Sequence, residues 1–345
     1  MSGSQNKFQI GKLKHQVLLK LLKNFVSNTE IDDNRVIMGS KLGEDAAVID
    51  IGDKYLVAKT DPITFATDAI GYYVVNINVN DIVCTGASPK WFQSTILLPE
   101  KKTNAELIET IFRDIHDTCE QMHITVIGGH TEVTSNLDRP IIVGSLLGEV
   151  EKEKLVLTSG AEPGNDIILT KGLFIEGVSI IGREKGEFLR KKGYSEEFID
   201  KCKDYLFKPG ISVYKEAVLA NKNFVIKAMH DPTEGGFATG IAEMALASET
   251  GVLIDEKNIK ILPEPMELSK VFNLDPLNTI SSGSLLIAIE QEFSNELIEF
   301  LKKNEIYAEK VGEFKSNKEG LKIKSKQGKI KLLKYSERDE ITKIF

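Results

Sequence analysis

Cysteine is scarce in this 345-residue chain: there are three, Cys84, Cys119 and Cys202. Odd in number, far apart and never spaced C-x-x-C, they exclude a disulfide framework and a structural zinc site and point to a reducing compartment. Long apolar runs are missing as well. The longest uncharged run of the C-terminal half, Pro276 to Ile289, is too short to span a bilayer and contains Pro, Gly and three Ser. Met1 to Phe8 lead into no apolar signal-peptide core, which sets the expectation of a cytoplasmic protein. Nor is there a basic excess. Lys and Arg number 44 against 51 Asp and Glu, a net charge of −7, so the positive face on which nucleic-acid affinity rests is not expected. With 27 Gly, 10 Pro, 41% apolar and 28% charged residues, the composition is that of an ordinary globular chain. The common nucleotide, zinc-protease and serine-hydrolase signatures are absent: no G-x-x-x-x-G-K-[ST], G-x-G-x-x-G, H-E-x-x-H or G-x-S-x-G.

The length exceeds what one core usually organises and predicts two domains. A charged stretch, Glu149 to Lys154, places their join near residue 155, giving units 1–154 and 155–345. Leu13, Val17, Leu18, Leu21, Leu22 and Phe25 recur at helical spacing with Lys between them, which predicts an amphipathic helix packed on the body. Ala46 to Ile51 and Tyr55 to Lys59, around Gly52-Asp53, read as a β-hairpin. Ile70 to Val83 places Ile70, Val74, Ile77 and Val83 on one helical stripe, with Asn76 and Asn80 beside Asp81; its β-branched residues leave strand as the alternative. A helix over Glu106 to Met122 precedes a buried strand, Ile124 to Ile127, that ends in Gly128-Gly129-His130-Thr131. Strands follow at Ile141 to Leu147, Ile167 to Thr170 and Leu285 to Ile289. Helical stretches are expected within Glu184 to Leu206, after Pro209-Gly210, over Phe237 to Ala247 and over Asn295 to Lys303, with a closing hairpin at Leu321 to Tyr335 around Gly328.

What stands out chemically is acidic. Asp45, Asp61, Asp81 and Asp231 each read as sitting at an element edge beside Gly, Pro or Asn, where a carboxylate reaches either a ligand or the backbone of its own turn or cap. Antiparallel pairing returns Asp45 and Asp61 to the same end of the hairpin. Two carboxylates so paired are hard oxygen donors of the kind Mg²⁺ takes when it is shared with nucleotide phosphates. Gly128-Gly129 and Gly235-Gly236 either shape turns or let a polyphosphate approach backbone N–H groups. His130 is a phosphate or substrate contact or a structural hydrogen-bonder. Lys12 and Lys171 are phosphate contacts or solvated surface, Lys171 being the stronger of the two at a strand end beside Gly172.

Five blocks in order carry a wider resemblance: Gly43-Glu44-Asp45-Ala46-Ala47-Val48; Thr60-Asp61-Pro62; Asn80-Asp81-Ile82 with Thr85-Gly86-Ala87-Ser88-Pro89; Gly128-Gly129-His130-Thr131; and Asp231-Pro232-Thr233-Glu234-Gly235-Gly236. Over nearly the whole chain they resemble the ATP-binding superfamily of aminoimidazole ribonucleotide (AIR) synthase, which includes selenophosphate synthetase, thiamine-monophosphate kinase and a hydrogenase maturation factor. The resemblance implies an α/β (α+β) fold of two domains, the N-terminal one pairing its sheet into a barrel across a homodimer. It further implies ATP and Mg²⁺ in the groove between the domains. On this reading Asp45, Asp61, Asp81 and Asp231 are the metal-phosphate carboxylates, and Lys12, Gly128, Gly129, His130, Thr131, Lys171, Gly235 and Gly236 contact the nucleotide.

Gly11-Lys12-Leu13, Asp61-Pro62-Ile63-Thr64 and Lys171-Gly172 with Glu176-Gly177 look most like the hydrogenase maturation factor-like members. That factor acts through a cysteine at its extreme C-terminus, whereas this chain has none after Cys202. Two activities stay open. One is an ATP- and Mg²⁺-dependent enzyme that phosphorylates or activates an oxygen of a small molecule or acyl group; the other is an ATP-binding maturation or scaffold protein that acts on a protein partner with little turnover.

Overall fold

Two sheets, one from each half of the chain, organise the computed structural model, which describes residues 15–26, 33–41, 43–64, 66, 68–336 and 338–345. After helix α1 (His15–Phe25), strands β1 (Val36–Met38), β2 (Ala47–Asp50), β3 (Lys54–Ile63), β4 (Ser88–Pro99), β5 (Thr125–Thr134) and β6 (Ile141–Glu151) form the first sheet, in the order β1-β2-β3-β6-β4-β5. Helices α2 (Ile70–Cys84) and α3 (Ala105–Gln121) cover one of its faces, and burial along β6 alternates residue by residue accordingly. On the other face Leu97, Val143 and Leu147 are only half-buried.

The hairpin forms as read, β2 pairing antiparallel with β3 from Ala47↔Ala58 to Asp50↔Tyr55. Asp61 lies inside β3, not after it, because β3 keeps pairing with β6 beyond the point where β2 ends. The stretch 70–83 is helix, and its strand alternative falls away. In place of a single buried stripe, α2 is buried nearly all round, since packing on both sides outweighs the weak helix propensity of its β-branched residues. The strand expected to be buried at 124–127 is corrected in two respects. It runs on through Gly128-Gly129 to Thr134, and it is exposed, because β5 is an edge that pairs only with β4. In α1 the expected inward face is covered only in part: Val17, Leu18 and Leu22 are half-buried, while Leu21 and Phe25 are exposed.

The second sheet comprises β7 (Asn165–Thr170), β8 (Ala228–His230), β9 (Gly251–Asp255), β10 (Leu286–Glu290), β11 (Ala308–Lys315), β12 (Leu321–Lys324) and β13 (Ile330–Leu332), in the order β13-β12-β9-β11-β7-β10-β8. Its helices are α4 (Ile175–Glu184), α5 (Gly186–Lys191), α6 (Glu196–Asp204), α7 (Tyr214–Asn223), α8 (Gly236–Ala247), α9 (Pro263–Phe272) and α10 (Gln291–Lys303). The closing hairpin around Gly328 is β12–β13. Within this mixed α/β, two-sheet fold, one apolar cluster runs from the first sheet through α2 to Ile211, Met229 and Ile287 of the second half. Among the described residues, no helix is long and apolar enough to cross a membrane.

Candidate functional site

The β2–β3 pairing ends at Ala47↔Ala58, so Asp45, two residues before it, and Asp61, three residues after it, share one end of the ribbon. Between them stands Lys59, which sequence reasoning missed. Positions two apart on a strand share a face, so Lys59 and Asp61 point the same way. Lys59 Nζ lies 3.2 Å from Asp61 Oδ2 and 2.9 Å from Asp81 Oδ2, where α2 crosses behind the strand. Burial works against the charge of Lys59, but the carboxylates of Asp81, Asp45 and Asp61 outweigh it and raise its pKa.

Asp81 is therefore neither a cap nor an edge residue, being buried within α2. Burial holds its carboxyl well above the usual carboxylate range, against the pull of Lys59 and with Asp231, Asp45 and Asp61 adding to the rise. Asp231, just after β8, is also buried, and burial followed by the charge of Asp45 pushes it up to about 7. Cys84 Sγ lies 3.9 Å from Asp231 Oδ1, while the buried Oδ2 of Asp231 has no hydrogen bond. Its neighbour His230 is held between two acids, Nδ1 lying 3.4 Å from Asp45 Oδ2 and Nε2 3.1 Å from Glu243 Oε2 on α8. Burial opposes the imidazolium, but Glu243 and Asp45 outweigh it and raise the pKa.

Second-half backbone fixes the cluster from behind. Glu44 accepts hydrogen bonds from the N–H groups of Thr158 (3.2 Å) and Ser159 (3.0 Å). Asn80, beside Asp81, donates to Ile211 O (2.9 Å) and accepts from Val213 N–H (2.8 Å). Asp61 opens into a cleft of about 410 Å³ between the halves, lined by Pro62 and Tyr73 on one side and by Glu176, Thr233 and Glu234 on the other. Glu176 is buried there, and burial lifts its carboxyl to about 7 against the pull of the nearby Ser282 hydroxyl.

The donor set is hard oxygen, and the buried Oδ2 of Asp231 makes no hydrogen bond, which fits Mg²⁺. Among the described residues no three His, Cys, Asp or Glu side chains gather closely enough to hold a metal ion unaided. Mg²⁺ is usually held by one or two carboxylates together with waters and substrate phosphates, and this arrangement suits a metal that arrives with its phosphates.

Other expected contacts lie elsewhere. Gly128, Gly129, His130 and Thr131 sit on β5, three strands and roughly 14 Å of sheet away from β3. His130 is exposed and meets Glu132 at 3.1 Å. Lys171 is turned inward, its Nζ bonded to Gly210 O (3.2 Å) and Ser212 O (2.5 Å) and paired with Glu216 (2.9 Å). The amides of the second glycine pair are already engaged, Gly235 N–H with Asp339 Oδ2 (2.6 Å) and Gly236 N–H with Thr233 O (3.0 Å). Both glycines have positive φ, and a Cβ on either would collide with Thr239 or with Thr279 O, so close packing explains the pair. Lys12 lies outside the described residues.

A protein named for hydrogenase expression and formation, from Methanocaldococcus jannaschii, is 29% identical over 296 residues, 84% of each chain. Phosphoribosylformylglycinamidine cyclo-ligase of Acetivibrio thermocellus is 30% identical over 266 residues, 74% of this chain and 77% of that one. In fold, the crystal structure of the hydrogenase maturation protein HypE in complex with ATP superposes with a TM-score of 0.66 at 20% identity, covering 96% of this chain and 97% of that one. The HypE–HypF complex gives 0.71 at 18% identity, covering 94% and 100%. Residues 43–150 match the model for the AIR synthase related protein N-terminal domain, and residues 162–324 match that for the C-terminal domain. With both domain models matched in order over most of its length, the chain belongs to the AIR synthase related family.

Proposed function

We propose that the chain is a cytoplasmic enzyme of hydrogenase maturation factor-like type that binds ATP with Mg²⁺ between its halves and phosphorylates or activates an oxygen of a small molecule or acyl group. The observation that carries this reading is the convergence of Asp45, Asp61 and Asp81 on Lys59, beside a buried Asp231 whose Oδ2 makes no hydrogen bond, with Asp61 lining the 410 Å³ cleft. Phosphoryl transfer is mostly positioning and charge neutralisation, so such a site needs no nucleophilic side chain. Asp45, Asp61, Asp81 and Asp231 are the carboxylates that would hold Mg²⁺, which would supply positive charge to neutralise the phosphates. Within the chain, Lys59 orients Asp61 and Asp81, and His230 orients Asp45. The ATP-bound HypE of the same fold and the similarity to a cyclo-ligase support the reading.

Isothermal titration with ATP is expected to show binding that vanishes in excess chelator; equal binding without Mg²⁺ would sink the proposal. ATP consumption that rises with one fraction of a metabolite pool identifies the acceptor. Magnesium-dependent binding with no turnover in any fraction would favour the scaffold alternative.

We also propose a homodimer built on the first sheet. The half-buried Leu97, Val143 and Leu147 on its open face, and the exposed Val126, Ile127 and Val133 on its edge strand, are apolar surface that a second copy would cover.

A further inference from the structure

The edge of the second sheet away from β8 carries a surface of different character. Residues 320–336 contain six lysines, Lys322, Lys324, Lys326, Lys329, Lys331 and Lys334, and no acidic residue. Setting these six aside leaves a formal charge of −13 on the rest of the chain, so this segment is a local reversal of the protein's sign. Lys324 reaches Asp255 at 3.9 Å; among the described residues no ion pair of the other five is found.

The segment is the β12–β13 hairpin, and β13 is the last strand of the second sheet. Ser325 N–H donates to Lys329 O, and Leu333 N–H donates to Leu321 O. Antiparallel alternation then turns the backbone groups of Lys331 toward β12 and those of Ile330 and Leu332 outward, to the free edge. The side chains alternate too. Leu333 and Ile323 are buried under the sheet, whereas Ile330 and Leu332 stand 54% and 72% exposed, opposite Lys324 and Lys322. Lysines alone would guard an edge strand against pairing, but exposed Ile and Leu beside an open row of N–H and C=O groups do the reverse. The matched family span ends at residue 324, so β13 lies beyond it.

From this juxtaposition we propose that the free edge of β13 is a docking site for an extended acidic segment of a protein partner. The segment adds a strand through backbone hydrogen bonds to Ile330 and Leu332, lays an apolar side chain against that pair, and sets its carboxylates among the lysines. A nucleic acid would use the charge and leave the open backbone edge and apolar pair idle, and a membrane would likewise make no use of the outward N–H and C=O groups.

The probe is a capped ten-residue peptide alternating Glu and Val, titrated against the full-length protein in low salt. Micromolar binding is expected, weakened at least tenfold by Lys329→Glu with Lys331→Glu and by 500 mM salt. Hydrogen exchange should show new protection at Ile330 and Leu332. Absence of binding, equal binding to the charge-reversed variant, or binding without protection of β13 would each overturn the proposal. So would tighter binding to a DNA oligonucleotide or to phosphatidylserine vesicles at the same salt. A folded charge-reversed variant is verified by its unchanged melting temperature, because both positions are exposed.

Discussion

At the scale of single residues, Lys59 is the counter-ion of the acidic cluster. Removing one partner of a buried ion pair leaves the other uncompensated, which typically costs about 3–5 kcal/mol. Lys59→Met is expected to melt well below the parent, and millimolar Mg²⁺ should raise its melting temperature more than the parent's, because a cation then fills the missing charge. A variant as stable as the parent and indifferent to Mg²⁺ would show that Lys59 does not hold the cluster together. Asp231→Asn removes one charge with little change of shape. A ligand that binds only the folded state stabilises by RT ln(1 + [L]/Kd), about 2.7 kcal/mol at a hundredfold excess over Kd, and the variant should lose most of the ATP-induced shift. Asp53→Asn, at the far turn of the hairpin, should keep the shift in full. Glu176 sets a pH dependence of its own. Its carboxyl titrates near 7 in the folded protein and near 4.5 when unfolded, so the folded state holds the extra proton between these values and stability falls as pH rises through that window. Glu176→Gln is free of this loss, so its melting temperature should gain on the parent's between pH 5 and pH 8, by an amount reflecting ~3 kcal/mol at most. Parallel melting curves across that range would assign the buried charge no cost.

At the scale of elements, the join between the halves depends on α2. Asn80→Ala strands Ile211 O and Val213 N–H in the interior, and each buried unpaired group costs about 1–3 kcal/mol. Thermal melting is expected to show that loss together with a weaker response to ATP, and a drop in neither would detach α2 from the site. How much of this was legible follows from the range of the interactions. The β2–β3 hairpin and the shared end of Asp45 and Asp61 were readable because the register is local. Lys59 was readable in principle, two residues before Asp61 on the same face, but a lysine among 44 basic residues carries no signal of its own. The amides of Gly235 and Gly236 could not be read: the carboxylate that occupies the first is Asp339, 104 residues onward. Strand β11 escaped because a bulge between Lys310 and Gly312 breaks its period of two. The exposure of β5 depends on its place at the sheet edge, which periodicity does not encode.

At the scale of the whole molecule, the open face and edge of the first sheet predict association. Light scattering at low micromolar concentration should give about twice the 38.3 kDa chain mass. Ile127→Asp with Val133→Asp, two positions on one face of β5, should shift that mass to the monomer without unfolding the chain. A parent that is monomeric under the same conditions would remove the reason for the apolar edge.

The pinning of α2 also gives the molecule a gauge. Asn80 is riveted to residues 211 and 213, and Asp81 is its immediate neighbour on the same rigid rod, while Glu44, next to Asp45, is clamped to residues 158 and 159. Two of the four aspartates are thus each one residue away from a fastening to the opposite half. Any rotation of one half against the other must swing these carboxylates or tear out the fastenings, so the spacing of charges in the cluster measures how tightly the two halves are closed.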